Sequence, residues 1–168
     1  MSLLNTEPRY IKHNWYDISR ACKLIHDKLI LSNFTPSYII GLTRGGLIPA
    51  TILSHRFDVP LHSLNISLRD NNRVENKLWM CEDAIQYKSI LIVDDINDSG
   101  ATFRTLKETW EKSIPGNWHK IWHYTVQFAV IDNNLTSAAK VDYFYNAIDK
   151  SANNTWVIYP WEKNNNET

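Results

Sequence analysis

The residues best placed to do chemistry are Asp94 and Asp95, which directly follow the apolar run Ile90-Leu91-Ile92-Val93. An apolar run ending at once in acids reads as a strand buried on both faces, as in a parallel sheet. The acids then stand at its carboxyl end, where open α/β sheets bind ligands. Beyond them Asp98-Ser99-Gly100-Ala101-Thr102 is a loop of small and hydroxyl residues, and a helical pattern follows. A helix opening presents unpaired N–H groups and the positive end of its dipole, a combination that holds phosphate. Carboxylates beside a phosphate cradle point to a phosphorylated sugar, with the acids holding its hydroxyls and a metal ion. Thr43-Arg44-Gly45-Gly46 repeats the arrangement after Tyr38-Ile39-Ile40-Gly41-Leu42. Adjacent glycines let a backbone approach an anion closely, and the planar donor fork of Arg44 suits phosphate oxygens.

Strands and helices in alternation must position these loops. Asn14 caps a predicted first helix, with Asp17 in its first turn and Ile18, Cys22, Ile25 and Leu29 on one apolar stripe. The helix ends before Pro36. Tyr38–Leu42 reads as a buried strand, and Leu47 to Phe57 as a helix that tolerates Pro49 in its first turn. His62 to Leu68 is the next strand. Arg69 to Asp83 is charged and lacks a period, so it is either disordered or a mobile lid. A helix runs from about Thr102 to Ser113 and stops at Pro115-Gly116. Ile121 to Ile131, Val141 to Ala147 and Trp156 to Tyr159 are the remaining strands. The alternation implies α/β architecture with a mostly parallel twisted sheet flanked by helices. One domain spans 1–168, with a frayed tail at 163–168.

At 168 residues the chain suffices for one well-buried core and not for two typical domains. Its formal charge is zero and no basic stripe stands out, which argues against a nucleic-acid partner. Cys22 and Cys81 lie far apart, fit no zinc spacing, and read as reduced thiols of a cytoplasmic protein. No run approaches a membrane span, and Met1 to Pro8 lacks the basic head and apolar core of a secretory signal. His119 and His123 lack a third ligand for a metal. Trp110, Trp118 and Trp122 read as core or subunit contacts, consistent with a homodimer or homotetramer. Trp79 falls in the supposed lid.

The Ile90–Thr102 stretch resembles the 5-phosphoribosyl-1-pyrophosphate (PRPP) signature of the type I phosphoribosyltransferases, with Ser99 where threonine is usual. Ile40-Gly41-Leu42-Thr43-Arg44-Gly45-Gly46-Leu47-Ile48-Pro49-Ala50 is similar to a segment of the xanthine-guanine and hypoxanthine members. Val141-Asp142-Tyr143-Phe144 and Thr155-Trp156-Val157-Ile158-Tyr159-Pro160-Trp161-Glu162 are similar to their ending. The resemblance runs in order from about Trp15 to Glu162 and implies the type I fold with a small C-terminal, or hood, region. It implies transfer of phosphoribose from PRPP to a nucleobase, in purine salvage, with release of pyrophosphate. Asp94 and Asp95 match the acids near the ribose hydroxyls and Mg²⁺. Ser99, Gly100, Ala101 and Thr102 match the 5′-phosphate loop. Thr43, Arg44, Gly45 and Gly46 match the pyrophosphate loop, which often contains a non-proline cis peptide. Asp98 matches the acid that manages the base proton, Arg73 an arginine of the closing loop, and Trp156 and Val157 the base-binding pair.

One departure stands out. The purine enzymes have a lysine after the strand matching Thr125–Ile131, where it donates to the 6-oxo group. Val126-Gln127-Phe128-Ala129-Val130-Ile131-Asp132-Asn133 has none, and Lys140 is not assigned the role. That leaves open a different purine or another nitrogen heterocycle as the base, since a site built around a hydrogen bond discriminates through it. The alternative class is a non-catalytic PRPP-binding regulator, but such a protein needs a nucleic-acid module or basic face.

Overall fold

The computed structural model describes residues 8–68, 73–114, 116, 122, 124–151 and 154–162. In chain order the elements are β1 (Arg9–Lys12), α1 (Trp15–Leu31), β2 (Tyr38–Leu42), α2 (Leu47–Phe57), β3 (Leu61–Leu64), β4 (Ile66–Ser67), β5 (Arg73–Val74), α3 (Leu78–Ile85), β6 (Ile90–Asn97), α4 (Ala101–Ser113), β7 (Val126–Asn134), β8 (Tyr143–Ile148) and β9 (Thr155–Ile158). Asn14 caps α1 as its sequence predicts: its side chain accepts from the Asp17 N–H, and the Asp17 carboxylate accepts from the Asn14 N–H.

The central sheet has five parallel strands in the order β3-β2-β6-β7-β8. Alternation along its strands builds a core on each face. Ile39, Leu91 and Val93 pack with α1 and α2, through Ile18, Cys22, Ile25, Leu29 and Leu53. Ile40, Ile90 and Ile92 pack with α3 and α4, through Met80, Cys81, Phe103, Leu106 and Trp110. The chain winds outward from β2 to β3 in one direction and from β6 through β7 to β8 in the other. Right-handed crossovers therefore place α2 and α4 on opposite faces. Cys22 and Cys81 are buried free thiols, each pushed up to about 12 by burial. Among the described residues no helix is long and apolar enough to cross a membrane.

Several expectations are corrected. The strand foreseen over His62–Leu68 breaks at Asn65, whose N–H and carbonyl both bond to Glu75, through its carboxylate and its N–H respectively. That double tie closes the antiparallel β4–β5 hairpin. Of the 69–83 segment, read as either disordered or a mobile lid, the second half is ordered and enters α3. Met80, Cys81 and Ala84 of α3 are fully buried, and Trp79 packs on His62 and Tyr38. Residues 69–72 lie outside the described residues, as do the 163–168 tail, Trp118, His119 and His123. The strand foreseen from Ile121 begins at Val126; Trp122, Tyr124 and Thr125 are helical. Trp122 packs edge-on against Trp110 in the core, and an apolar aromatic run does not by itself distinguish helix from strand. Finally, β9 is outside the main sheet and pairs in parallel with β1, a strand with no sequence signal.

Candidate active site

The sheet order reverses between β2 and β6, and open α/β sheets bind ligands in the crevice at such a switch point. Both loops singled out by sequence leave the carboxyl ends of these two strands. Thr43–Gly46 follows β2, and its Thr43 N–H is held by the Leu64 carbonyl at the end of β3. The Thr43–Arg44 peptide is cis. The loop lies directly against the β6 acids: a Cβ on Gly45 would collide with the Asp95 carboxylate, and one on Gly46 with the backbone of Val93 and Asp94. Arg44 is exposed.

Asp94 and Asp95 are held by their own backbone. The Asp95 N–H donates to Asp94 Oδ1 at 3.0 Å and the Ile96 N–H to Asp95 Oδ1 at 2.8 Å. Burial pushes the Asp94 carboxyl well above the usual carboxylate range, and the charge of Asp95 adds to the push. Burial raises Asp95 as well; the Ile96 N–H opposes this and the Glu162 charge reinforces it. Among the described residues no lysine, arginine or histidine pairs with either acid. Half-buried carboxylates without a counter-ion suit a bound cation and sugar hydroxyls. The described residues place no cluster of three or more His, Cys, Asp and Glu side chains to hold a metal. A metal here needs further oxygens from its substrate, which is the usual condition of Mg²⁺.

The loop after β6 forms the second cradle. Gly100 caps α4 at φ 83°, and a Cβ there would meet Ser137 and the Ala139 backbone. Ser99 Oγ accepts from the Ala101 N–H at 3.3 Å, and the Ser99 carbonyl from the Ala138 N–H. The first intrahelical bond runs from the Arg104 N–H to the Gly100 carbonyl. Among the described residues the N–H groups of Thr102 and Phe103 in the opening turn have no backbone partner outside the helix, which suits an anion.

Asp98 stands half exposed at the rim. Its carbonyl accepts from Asn134 Nδ2 at 3.1 Å, and its carboxylate pairs with Lys150 Nζ at 2.7 Å. Lys140 points elsewhere, lining a cavity of about 440 Å³ with Phe103, Arg104, Lys107 and Trp122. Trp156 and Val157 sit on β9, and they differ: Trp156 is 61% exposed, whereas Val157 packs into the α1 side of the core. Arg73 is exposed on the β4–β5 hairpin and makes no hydrogen bond or ion pair with the other candidates.

Residues 13–158 match the family model described as "Phosphoribosyl transferase domain". The chain belongs to this family. Over 158 residues it is 26% identical to a xanthine-guanine phosphoribosyltransferase of Gluconobacter oxydans, covering 91% of this chain and 84% of the relative. A purine phosphoribosyltransferase from Pyrococcus horikoshii superposes with a TM-score of 0.70 at 25% identity, over 92% of this chain and 95% of that one. A Helicobacter pylori xanthine-guanine-hypoxanthine phosphoribosyltransferase superposes at 0.69 with 17% identity, over 92% and 94%, and shares the fold.

Within this phosphoribosyltransferase fold a buried polar network, missed in the sequence, lies beneath the acids. Asp132 at the end of β7 is fully buried; its Oδ2 accepts from the Tyr159 hydroxyl at 2.7 Å and pairs with His13 Nε2 at 2.8 Å. Asn146 Nδ2 donates to its Oδ1, and the Tyr159 hydroxyl lies 3.1 Å from the Asp95 carbonyl. The signal existed: Ala129-Val130-Ile131-Asp132 ends an apolar strand in an acid, as β6 does. The network ties the β1–β9 sheet to the floor of the site. Burial lowers the pKa of His13, but the hydrogen bond and charge of Asp132, with the charge of Asp17, leave it raised above 6.5. A raised histidine stabilises the fold below its unfolded value, and this contribution is lost as pH rises through the folded value. Urea unfolding should therefore show stability falling as pH climbs above about 6.5, and His13→Gln should remove that slope. An unchanged slope in the variant would assign the pH dependence to other groups.

Proposed function

We propose that the protein transfers the phosphoribosyl group of PRPP to a purine base, with release of pyrophosphate, in nucleotide salvage. What carries the reading is the meeting at one switch point of two anion cradles, Thr43–Gly46 and Ser99–Thr102, on either side of two uncompensated acids. PRPP has that layout: a 5′-phosphate, ribose hydroxyls, and a pyrophosphate on C1. Ser99, Gly100, Ala101 and Thr102 hold the 5′-phosphate with their backbone at the start of α4. Asp94 and Asp95 receive the ribose hydroxyls. Thr43, Arg44, Gly45 and Gly46 hold the pyrophosphate. Asp94 and Asp95 would hold Mg²⁺ together with PRPP oxygens, and the ion would supply neutralisation of charge on the leaving group.

In the transfer the bond from C1 to the pyrophosphate oxygen breaks and a ring nitrogen of the base bonds to C1. Charge grows on the departing pyrophosphate, where the Arg44 guanidinium and the N–H groups of its loop stabilise it. Asp98 accepts the proton that the imidazole edge of the base loses as the bond forms. The exposed Trp156 face stacks on the base, and the backbone beside the buried Val157 reads its edge. Arg73 travels with the β4–β5 hairpin, which closes over the pyrophosphate and excludes water. The reading extends to a cytoplasmic homodimer or homotetramer, for which the exposed Tyr16, Leu31 and Tyr124 offer contact surface.

The test mixes the protein, PRPP and Mg²⁺ with hypoxanthine, guanine, xanthine, adenine and uracil, and follows pyrophosphate. Release that depends on a purine is expected. Tight PRPP binding with no release under any base would favour a PRPP-binding regulator, and release with uracil alone would move the substrate outside the purines.

A further inference from the structure

The Asp98–Lys150 pair is an unusual feature of the rim. A half-exposed ion pair contributes little to stability, yet here the main chains at both ends are fixed by one buried side chain. Asn134, 7% exposed, donates from Nδ2 to the Asp98 carbonyl at 3.1 Å and accepts at Oδ1 from the Lys150 N–H at 3.3 Å. Thr136 also donates to that Oδ1. Lys150 lies two residues past Ile148, which ends β8 and whose carbonyl is held by the Leu135 N–H. The ammonium is thus delivered to Asp98 from a strand neighbouring β7, and the arrangement places a fixed donor beside a fixed acceptor at 2.7 Å.

With Asp98 taking the base proton as proposed above, we infer that Lys150 is the specificity-determining residue, donating to an exocyclic oxygen next to the ring N–H that faces Asp98. The carboxylate accepts from a ring N–H; the ammonium has donors and no acceptor. Together they read a ring N–H with a carbonyl oxygen at the neighbouring position of one edge. A 6-oxopurine presents that pair on its imidazole side. A 6-aminopurine presents donor to donor and is disfavoured, because the ammonium then finds no acceptor on the base. Asn134 holds the two halves in register, and the strand-end lysine absent from Val126–Asn133 is replaced by one from the end of the next strand.

The test compares wild type, Lys150→Met and Lys150→Arg on hypoxanthine, guanine and adenine, with PRPP affinity and thermal melting measured in parallel. Wild type should prefer the oxopurines. Lys150→Met should lower kcat/KM for them about 10- to 100-fold, the effect of one charge-assisted hydrogen bond. It should leave adenine unchanged or raise it, because the change removes a donor that faced the amino group of that base. Lys150→Arg should recover most of the oxopurine preference. If Lys150→Met melts early, Lys150→Gln serves in its place. An equal loss on all bases, no loss, or a wild type that prefers adenine would each overturn the role of Lys150 while leaving the transferase intact. A wild type that turns over no base would overturn the transferase reading, and this role with it.

Discussion

Asp98→Ala is expected to lower kcat about 10³-fold, within the range that a positioned proton acceptor contributes, while PRPP affinity stays within about threefold of wild type. The separation follows from how Asp98 is held. Its carbonyl, bonded to Asn134, shapes the loop that leads into Ser99 and Gly100, and truncating the side chain leaves that bond in place. Among the described residues the carboxylate's side-chain hydrogen bond is with Lys150, so its removal frees an ammonium at the rim without opening the core. Asp98→Asn keeps an acceptor oxygen and loses the charge, so it should fall between alanine and wild type. Single-turnover rates with saturating PRPP, beside calorimetric titration of PRPP alone, separate the two effects. Undiminished turnover in Asp98→Ala would remove this carboxylate from the mechanism.

The parts of this molecule legible in the sequence are those where local chemistry and the tertiary environment agree. β2 and α2 fall on their foreseen bounds, because a short apolar run followed by two glycines and a proline-tolerant first turn leaves little choice. Both candidate anion loops were readable for the same reason: a strand ending in acids or glycines and a helix opening behind it. What escaped was pairing between distant segments. β1 has an exposed pattern and exists because β9 lies alongside it. The α3 helix, with no sustained period of its own, is held by burying Met80, Cys81 and Ala84 against the α4 side of the sheet. The His13–Asp132 pair of the buried network joins residues 119 positions apart, and the Lys150–Asp98 pair joins residues 52 apart. The missing lysine of β7 was visible as an absence, whereas its replacement depended on the register of β8 against β7.

The two glycines of the Arg44 loop should respond differently to the same added methyl group. In Gly45→Ala the new carbon is opposed by the Asp95 carboxylate, a side chain that can turn away once it gives up the Ile96 N–H. Stability should fall by about 1 kcal/mol, the net contribution of one hydrogen bond. Metal-dependent PRPP binding should weaken about 10- to 100-fold, as when a ligand loses its orienting partner. In Gly46→Ala the carbon faces the Val93 carbonyl, with Asp94 Cα and the Leu42 carbonyl each at 2.8 Å, and none of these can rotate aside. The ends of β2 and β6 must part, at a cost of about 3 kcal/mol. Urea melts and PRPP titrations on both variants check the contrast: Gly45→Ala folds and binds poorly, Gly46→Ala folds poorly. If Gly45→Ala bound Mg²⁺ and PRPP as wild type does, the Asp95 carboxylate would not be where the ribose and its metal sit. The two cradles would then need another acid between them, and β6 supplies only Asp94.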